Sequence, residues 1–139
     1  MTMRLASYPS LEDRAVFVTG GGSGIGASIV QHLCEQRARV AFVDIQHEAS
    51  EALVERIGAA GMPAPAFIPC DLRDIGALRA AVEQARARHG PARVLVNNAA
   101  RDDRHAWQDV TPEFYDERIA TNLRHMFFAI QAAAPAMIA

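Results

Sequence analysis

The sequence predicts a three-layer α/β fold, a parallel sheet of strand order 3-2-1-4 with helices on both faces. Three observations carry that expectation. Apolar runs of strand length at residues 15–19, 39–44, 64–70 and 94–96 alternate with segments of helical periodicity. The first two runs are continuously apolar rather than alternating, as in strands covered on both sides. Pro63, Pro65 and Pro69 crowd the third run, and proline removes ladder donors, so that strand belongs at an edge. Order 3-2-1-4 places it there.

The elements follow in order. Residues 1–14 read as a lead-in broken by Pro9 and Ser10. The first strand feeds a helix over 24–36, with Ile25, Ile29, Val30, Leu33 and Cys34 at helical spacing. The second strand, 39–44, ends on Asp44, and a helix follows over 47–58 with Ala49, Leu53 and Ile57 on one face. After the third strand, Asp74 caps a helix through His89, which Gly90-Pro91 ends. Strand four, 94–96, leads through a polar loop to Thr111-Pro112, an N-cap with proline at the first helical position. One last helix is expected from there, with Ile119, Leu123, Met126, Phe127, Ile130 and Ala134 as its apolar stripe. That stripe reads equally as core or as a subunit interface, and Pro135 is expected to kink or end the helix. The pattern is one domain over residues 1–139. It stops inside an apolar helical segment, so the sheet is expected to be incomplete and the chain truncated at its C-terminus.

Composition narrows the class. Half of the residues are hydrophobic and 22% are charged, with a formal net charge of −2. That balance offers nothing to nucleic acid or to an anionic membrane surface, and no run of apolar residues is long enough to span a bilayer. Residues 1–11 lack the pattern of a signal peptide. Cys34 and Cys70 lie in apolar segments without C-x-x-C spacing and read as reduced, buried thiols of a cytoplasmic protein. The five histidines fall on different elements without ligand spacing, so no metal site is expected.

The candidate site begins at Thr19-Gly20-Gly21-Gly22-Ser23-Gly24-Ile25-Gly26. Glycines at positions 20, 22, 24 and 26 permit a tight turn and let the backbone approach a pyrophosphate. The helix start behind them offers unpaired N–H groups and a positive dipole end. A strand, a glycine-rich turn and a helix in sequence form the context in which this motif binds a dinucleotide. Asp44 ends the second strand about 20 residues on, where an acid accepts from an adenosine ribose and repels a 2′-phosphate. Ile45 follows it and no arginine enters the turn, so NAD is favoured over NADP. Asp71 holds the equivalent place after the third strand, able to accept from an adenine amino group, with Leu72 beside the base. Each acid has a plainer reading, Asp44 as a helix cap and Asp71 as a solvated loop acid.

Thr19-Gly20-x-x-x-Gly24-x-Gly26, Asp71-Leu72, Asn97-Asn98-Ala99 and Asn122 together resemble the short-chain dehydrogenase/reductase family over nearly the whole chain. The resemblance implies a Rossmann-like fold, a nicotinamide cofactor and hydride transfer at an alcohol carbon. By it, Gly20, Ser23, Ile25, Asp44, Asp71, Asn98 and Ala99 would line the cofactor, and Asn122 would be the catalytic asparagine that orders a water in a proton relay. The family usually has glycine at the place of Ala100. Residues 97–105, 116–119 and 122–126, with Tyr8-Pro9-Ser10-Leu11, are similar to the NAD-dependent aldose dehydrogenases of the family, such as the D-xylose 1-dehydrogenases. Those oxidise the anomeric hydroxyl of a pentose to a lactone. The loop of Asp102, Asp103, Arg104 and His105 could then meet sugar hydroxyls, or remain a solvated loop or subunit contact. The resemblance also implies a homo-oligomer in the full-length form.

The same resemblance calls for a serine, a tyrosine base and a lysine four residues after the tyrosine. An ordinary tyrosine titrates near 10, so a neighbouring positive charge is needed for it to act near neutral pH. All 14 cationic side chains counted as Lys or Arg are arginine, and the tyrosines are Tyr8 and Tyr115. Tyr115 is followed by Ile119 four residues later and reads as a packing residue. This chain alone is therefore expected to be inactive. The alternatives are a non-catalytic NAD-binding or regulatory module and, third, a nucleotide-binding methyltransferase.

Overall fold

The structure is a computed structural model that describes residues 6–139; the start of the lead-in, residues 1–5, lies outside them. Four strands form one parallel sheet of order β3-β2-β1-β4. They are β1 (Ala15–Thr19), β2 (Arg39–Asp44), β3 (Ala66–Pro69) and β4 (Val94–Asn97). The expected order is the observed one. Every residue of β1 is buried, and among the described residues β4 pairs with β1 alone. The third strand is shorter than its apolar run: Pro65 falls outside the ladder, and Pro69 closes it opposite Asp44. Proline at both ends is the physical reason, since neither can donate to β2.

Alternation along the buried strands sends side chains to two cores. On one face Val16, Val18, Val40 and Phe42 meet Val30 and Cys34 of α1 (Gly24–Glu35) and Leu53 and Ile57 of α2 (His47–Ala59). On the other, Phe17, Ala41, Val43 and Ile68 meet Leu78, Ala81, Val82 and Ala85 of α3 (Ile75–His89). Ala129 and Ala133 of α5 (His125–Ile138) close that second core. Asp74 caps α3 as expected, its carboxylate accepting from the Ala77 N–H at 3.0 Å. Gly90, at φ 81°, follows the helix end in a backbone region that glycine enters without strain.

The expected last helix is three pieces. Thr111 caps α4 (Pro112–Ile119) by accepting from the Phe114 N–H at 3.2 Å. A π-helical turn, Ala120–Arg124, then joins α4 to α5. Pro135 does not end α5, which continues to Ile138. Both Pro135 and Gln131, whose carbonyl loses its partner, are exposed, so water can satisfy the freed acceptor. The expected apolar stripe is not core in this chain: Leu123, Phe127 and Ile130 are 59%, 63% and 51% exposed. The buried face is His125, Ala129 and Ala133, whose small alanines let α5 settle against α3 and the sheet. Tyr115 is also exposed rather than packed.

Candidate functional site

The parallel register brings the four strand ends to one edge. Thr19 lies opposite Val43 and Asn97, and Asp44 opposite Pro69. The turn after β1, the acid ending β2, Asp71 and the Asn98 loop must therefore meet, at the carboxyl edge where open α/β sheets bind ligands.

The turn is held by close approach. Gly20 sits at φ 68°, and a Cβ there would be 2.7 Å from the Ala99 Cα. A Cβ on Gly26 would overlap the Gly20 carbonyl oxygen. The Gly20 and Gly21 N–H groups donate to the Val43 carbonyl at 2.8 and 3.2 Å. Gly24 differs: at φ 53° it faces open space, with nothing within 4 Å of an added Cβ. It begins α1, where helix geometry leaves the first N–H groups without intrahelical partners. Ser23 makes no side-chain cap there among the described residues; its hydroxyl instead accepts from Gln46 Nε2 at 2.9 Å.

Thr19 ties this turn to the loop after β4. It is fully buried, and its hydroxyl oxygen accepts from the Asn98 and Ala99 N–H groups at 3.1 and 3.2 Å. Asn98 Nδ2 returns the contact, donating to the Thr19 and Gly20 carbonyls at 3.1 and 2.8 Å. Sequence reading gave Thr19 no role of its own. The available signal was a hydroxyl at the end of an otherwise apolar, buried strand.

Asp44 is 8% exposed, with both carboxylate oxygens fixed by backbone. Oδ2 accepts from the Gly22 N–H at 2.8 Å and Oδ1 from the Gln46 N–H at 2.9 Å. Gln46, not Asp44, is the N-cap residue of α2, so the plainer helix-cap reading fails. A carboxylate has about four acceptor sites, and two remain for a ligand. Asp71 is held differently. Arg73 grips it with Nε to Oδ1 at 3.0 Å and Nη2 to Oδ2 at 2.6 Å. Hydrogen bonding from that guanidinium holds the Asp71 carboxyl below the usual range.

These residues surround a cleft of about 540 Å³, within the usual size range of ligand sites. Gly20, Ser23, Gly24, Ile25, Gly26, Asp44, Ile45, Asp71, Leu72, Asn98 and Ala99 all line it. Gly22 does not: it lies behind the cleft, where a Cβ would overlap the Ser50 hydroxyl. Its contribution is the N–H that orients Asp44. Leu72 reaches the cleft although it belongs to the buried core, whereas Ile25 and Ile45 are 76% and 61% exposed. Cys70 lines the cleft too, but burial, reinforced by Asp71 and Asp74, pushes its thiol up to about 11, so it stays protonated and unreactive.

Asn122 also lies outside the cleft lining, within the π-helical turn. Its Oδ1 accepts from the Arg101 N–H at 2.7 Å and its Nδ2 donates to the Arg101 carbonyl at 2.8 Å. The side chain thereby clamps the loop after β4. Single π turns inside helices occur often at functional sites. The loop is bound further by charge, with Arg101 and Arg118 both reaching Asp103 Oδ2 at 2.7 Å. Arg73, Arg101, Asp102 and Glu117 are cleft residues that sequence reading did not assign to a cofactor. Their pairing is set by tertiary packing, which no local motif signals. Among the described residues, no group of three or more His, Cys, Asp or Glu side chains could hold a metal ion. No described helix is long and apolar enough to cross a membrane.

Residues 14–139 match the short chain dehydrogenase family. The chain is 56% identical over 137 residues to "Probable galactose dehydrogenase GalD" of Rhizobium meliloti, covering 99% of this chain and 54% of that protein. It is 47% identical over 135 residues to D-xylose 1-dehydrogenase of Caulobacter vibrioides, covering 97% of this chain and 52% of that one. A blue fluorescent protein from a metagenomic library, solved in complex with NADPH, superposes with a TM-score of 0.82 at 39% identity. That match covers 91% of this chain and 52% of the other. The chain thus spans about half the length of the curated relatives it matches. On the family match, this coverage and the shared fold, the chain belongs to the short-chain dehydrogenase/reductase family.

Proposed function

We propose that residues 1–139 are the NAD-binding part, a single dinucleotide-binding domain, of a dehydrogenase that oxidises the anomeric hydroxyl of an aldose. The observation that carries this reading is the meeting of the glycine turn, Asp44 and Asp71 around one cleft. In this reading the free N–H groups at the start of α1, next to Gly24, hold the pyrophosphate. Asp44 accepts from the adenosine ribose hydroxyls, with Ile45 and Leu72 flanking the base and Asp71 accepting from its amino group. Asn98 and Ala99 support the cofactor by fixing the turn from the β4 side. A bound nicotinamide dinucleotide supplies the hydride acceptor.

NAD is the cofactor we propose, although one structural neighbour holds NADPH. Asp44 is buried and already saturated on one side by backbone donors, so it cannot swing away from a 2′-phosphate, and no arginine lies in the turn to neutralise one. Asn122 is the residue we assign to the catalytic machinery within this chain, as the clamp that sets the loop beside the reacting end. The chain contains no lysine and no Tyr-x-x-x-Lys, so we propose that it does not transfer hydride alone. The free, buried cysteines fit a cytoplasmic protein, and the exposed stripe of α5 fits a homo-oligomer.

The substrate we propose is a pentose of the D-xylose type. A hexose is the second reading, because the galactose dehydrogenase relative shares more of this sequence, 56% against 47%. The test is NAD reduction by the full-length protein with D-xylose and D-galactose in parallel, alongside calorimetric titration with NAD and NADP. Preference for NAD and turnover of one aldose are the expected results. NADP bound more tightly would overturn the cofactor assignment, and binding of NAD without turnover of any sugar would favour a regulatory module.

A further inference from the structure

The two acids of the cleft are held by unlike means. Asp44 is nearly enclosed and anchored by two backbone N–H groups. The side chain of Asp71 is 43% exposed, and every hydrogen bond described for its carboxylate comes from Arg73: the backbone N–H to Oδ1 at 3.0 Å, and the guanidinium to both oxygens. The orientation of Asp71 is thus only as fixed as Arg73.

Arg73 is half exposed and has rotamer freedom to lose, but it is tethered on a second side. Its Nη1 lies 3.7 Å from Glu117 Oε1 on α4, and its backbone carbonyl accepts from Arg124 Nη2 at 2.8 Å. Glu117 is itself confined. It lies 3.4 Å from Arg101 and 3.3 Å from Arg118, and it accepts from the Thr121 hydroxyl at 3.1 Å. Alternating charges therefore run from Asp71 through Arg73 and Glu117 to Arg101, whose backbone Asn122 clamps. Asp71, Arg73, Glu117 and Arg101 all face the cleft.

We infer that Arg73 and Glu117 are positioning residues that fix the Asp71 carboxylate to select a base with an exocyclic amino group, adenine, over a 6-oxo purine. The inference rests on the dinucleotide reading of the cleft. Its chemistry is direct. A fork from guanidinium to carboxylate is planar and occupies one side of the carboxylate, which leaves the other side for a donor from the cleft. An ionised carboxylate only accepts. It therefore binds an amino group and repels a carbonyl oxygen placed at the same point. Loosening the carboxylate lets it turn to solvent, and discrimination falls with it.

The test is calorimetric binding, without turnover, of NAD and of nicotinamide hypoxanthine dinucleotide to the full-length protein. The hypoxanthine analogue carries a carbonyl in place of the adenine amino group. The natural sequence is expected to prefer NAD, and Asp71→Asn to abolish or reverse that preference. Arg73→Gln and Glu117→Gln are each expected to lower the affinity ratio about three- to fivefold, the scale of an exposed ion pair. Arg73→Lys is expected to restore part of it. A merely structural role would weaken both ligands together and leave the ratio unchanged. If Asp71→Asn removes the preference while Arg73→Gln and Glu117→Gln keep it, this inference is overturned and the dinucleotide reading stands. Equal affinity for both ligands in the natural sequence would overturn the inference and leave the dinucleotide reading standing, whereas no binding of either ligand would overturn the dinucleotide reading itself.

Discussion

Gly26 and Gly58 are both helical glycines, and giving each a methyl group should move stability in opposite directions. At Gly26 the new Cβ overlaps the Gly20 carbonyl oxygen and comes within 2.7 Å of Asn98 Nδ2. Both neighbours belong to the clamp that shapes the turn. Gly26→Ala should cost about 1–3 kcal/mol by overpacking and weaken NAD binding in the same titration. At Gly58 the Cβ meets only the Ala64 Cβ at 3.5 Å, an ordinary contact. Gly58→Ala should therefore raise stability by roughly 0.5–1 kcal/mol through lower unfolded-chain entropy and better helix propensity, read as a higher Tm. His125 gives a pH prediction. It is fully buried, and neither ring nitrogen makes a well-formed hydrogen bond among the described residues. Burial holds its pKa below 6.5, outweighing the nearby Thr121 backbone. The sign follows from proton counting: just below pH 6.5 the unfolded chain binds a proton that the folded chain refuses, so stability falls with falling pH. The contribution is intact above 6.5 and is lost progressively below it, before Asp71 or Asp103, both held below the usual carboxylate range, begin to protonate. His125→Leu should flatten the profile of Tm against pH between about 5 and 6.5. An unchanged slope would assign it elsewhere, with His89, also lowered by burial, the next candidate.

At the scale of elements, legibility depended on whether the signal was local. Strands β1 and β2 and the cap of α3 are written in contiguous residues, an apolar run or an Asp before a periodic segment, and they appear where expected. Asp74→Ala should cost about 1 kcal/mol, the usual worth of such a cap, without changing cofactor affinity, as thermal melts and titration together would reveal. The glycine turn and the two acids were legible for the same reason, because strand ends in a parallel sheet converge. The last helix was not. Periodicity finds an apolar stripe but cannot say which side faces the sheet, and here the larger side chains face outward while alanines face inward. A π-helical turn leaves no propensity signature: within Ala120–Arg124 the alanine, leucine and arginine favour an ordinary helix, and Thr121 and Asn122 disfavour one only weakly. The Asp71–Arg73–Glu117 connection joins residues from separate elements, so only the fold brings them together.

At the scale of the molecule, the two sheet flanks are unequal. Strands β1 and β2 are almost wholly buried, whereas β4 is only partly covered and pairs with a single neighbour among the described residues. Beside it runs the outward face of the last helices, with Leu123, Phe127 and Ile130 at least half exposed. A contiguous stripe of large apolar side chains is costly to hydrate and favours association. Its geometry suits self-association, because a helix face presented by one copy meets the same face on another about a two-fold axis. Replacing Leu123 and Phe127 by glutamate tests this without touching the core, since neither side chain is buried in this chain. Each buried side chain of this size is worth roughly 1.5–3 kcal/mol, so the double variant should weaken assembly by about two orders of magnitude or more. Sedimentation velocity over a range of concentrations would read the change as dissociation toward monomer, with the fold retained by circular dichroism. The NAD affinity should stay close to the natural value, because the cleft lies at the strand ends and includes neither residue. Assembly unaffected by the double variant would place the subunit contact on another face.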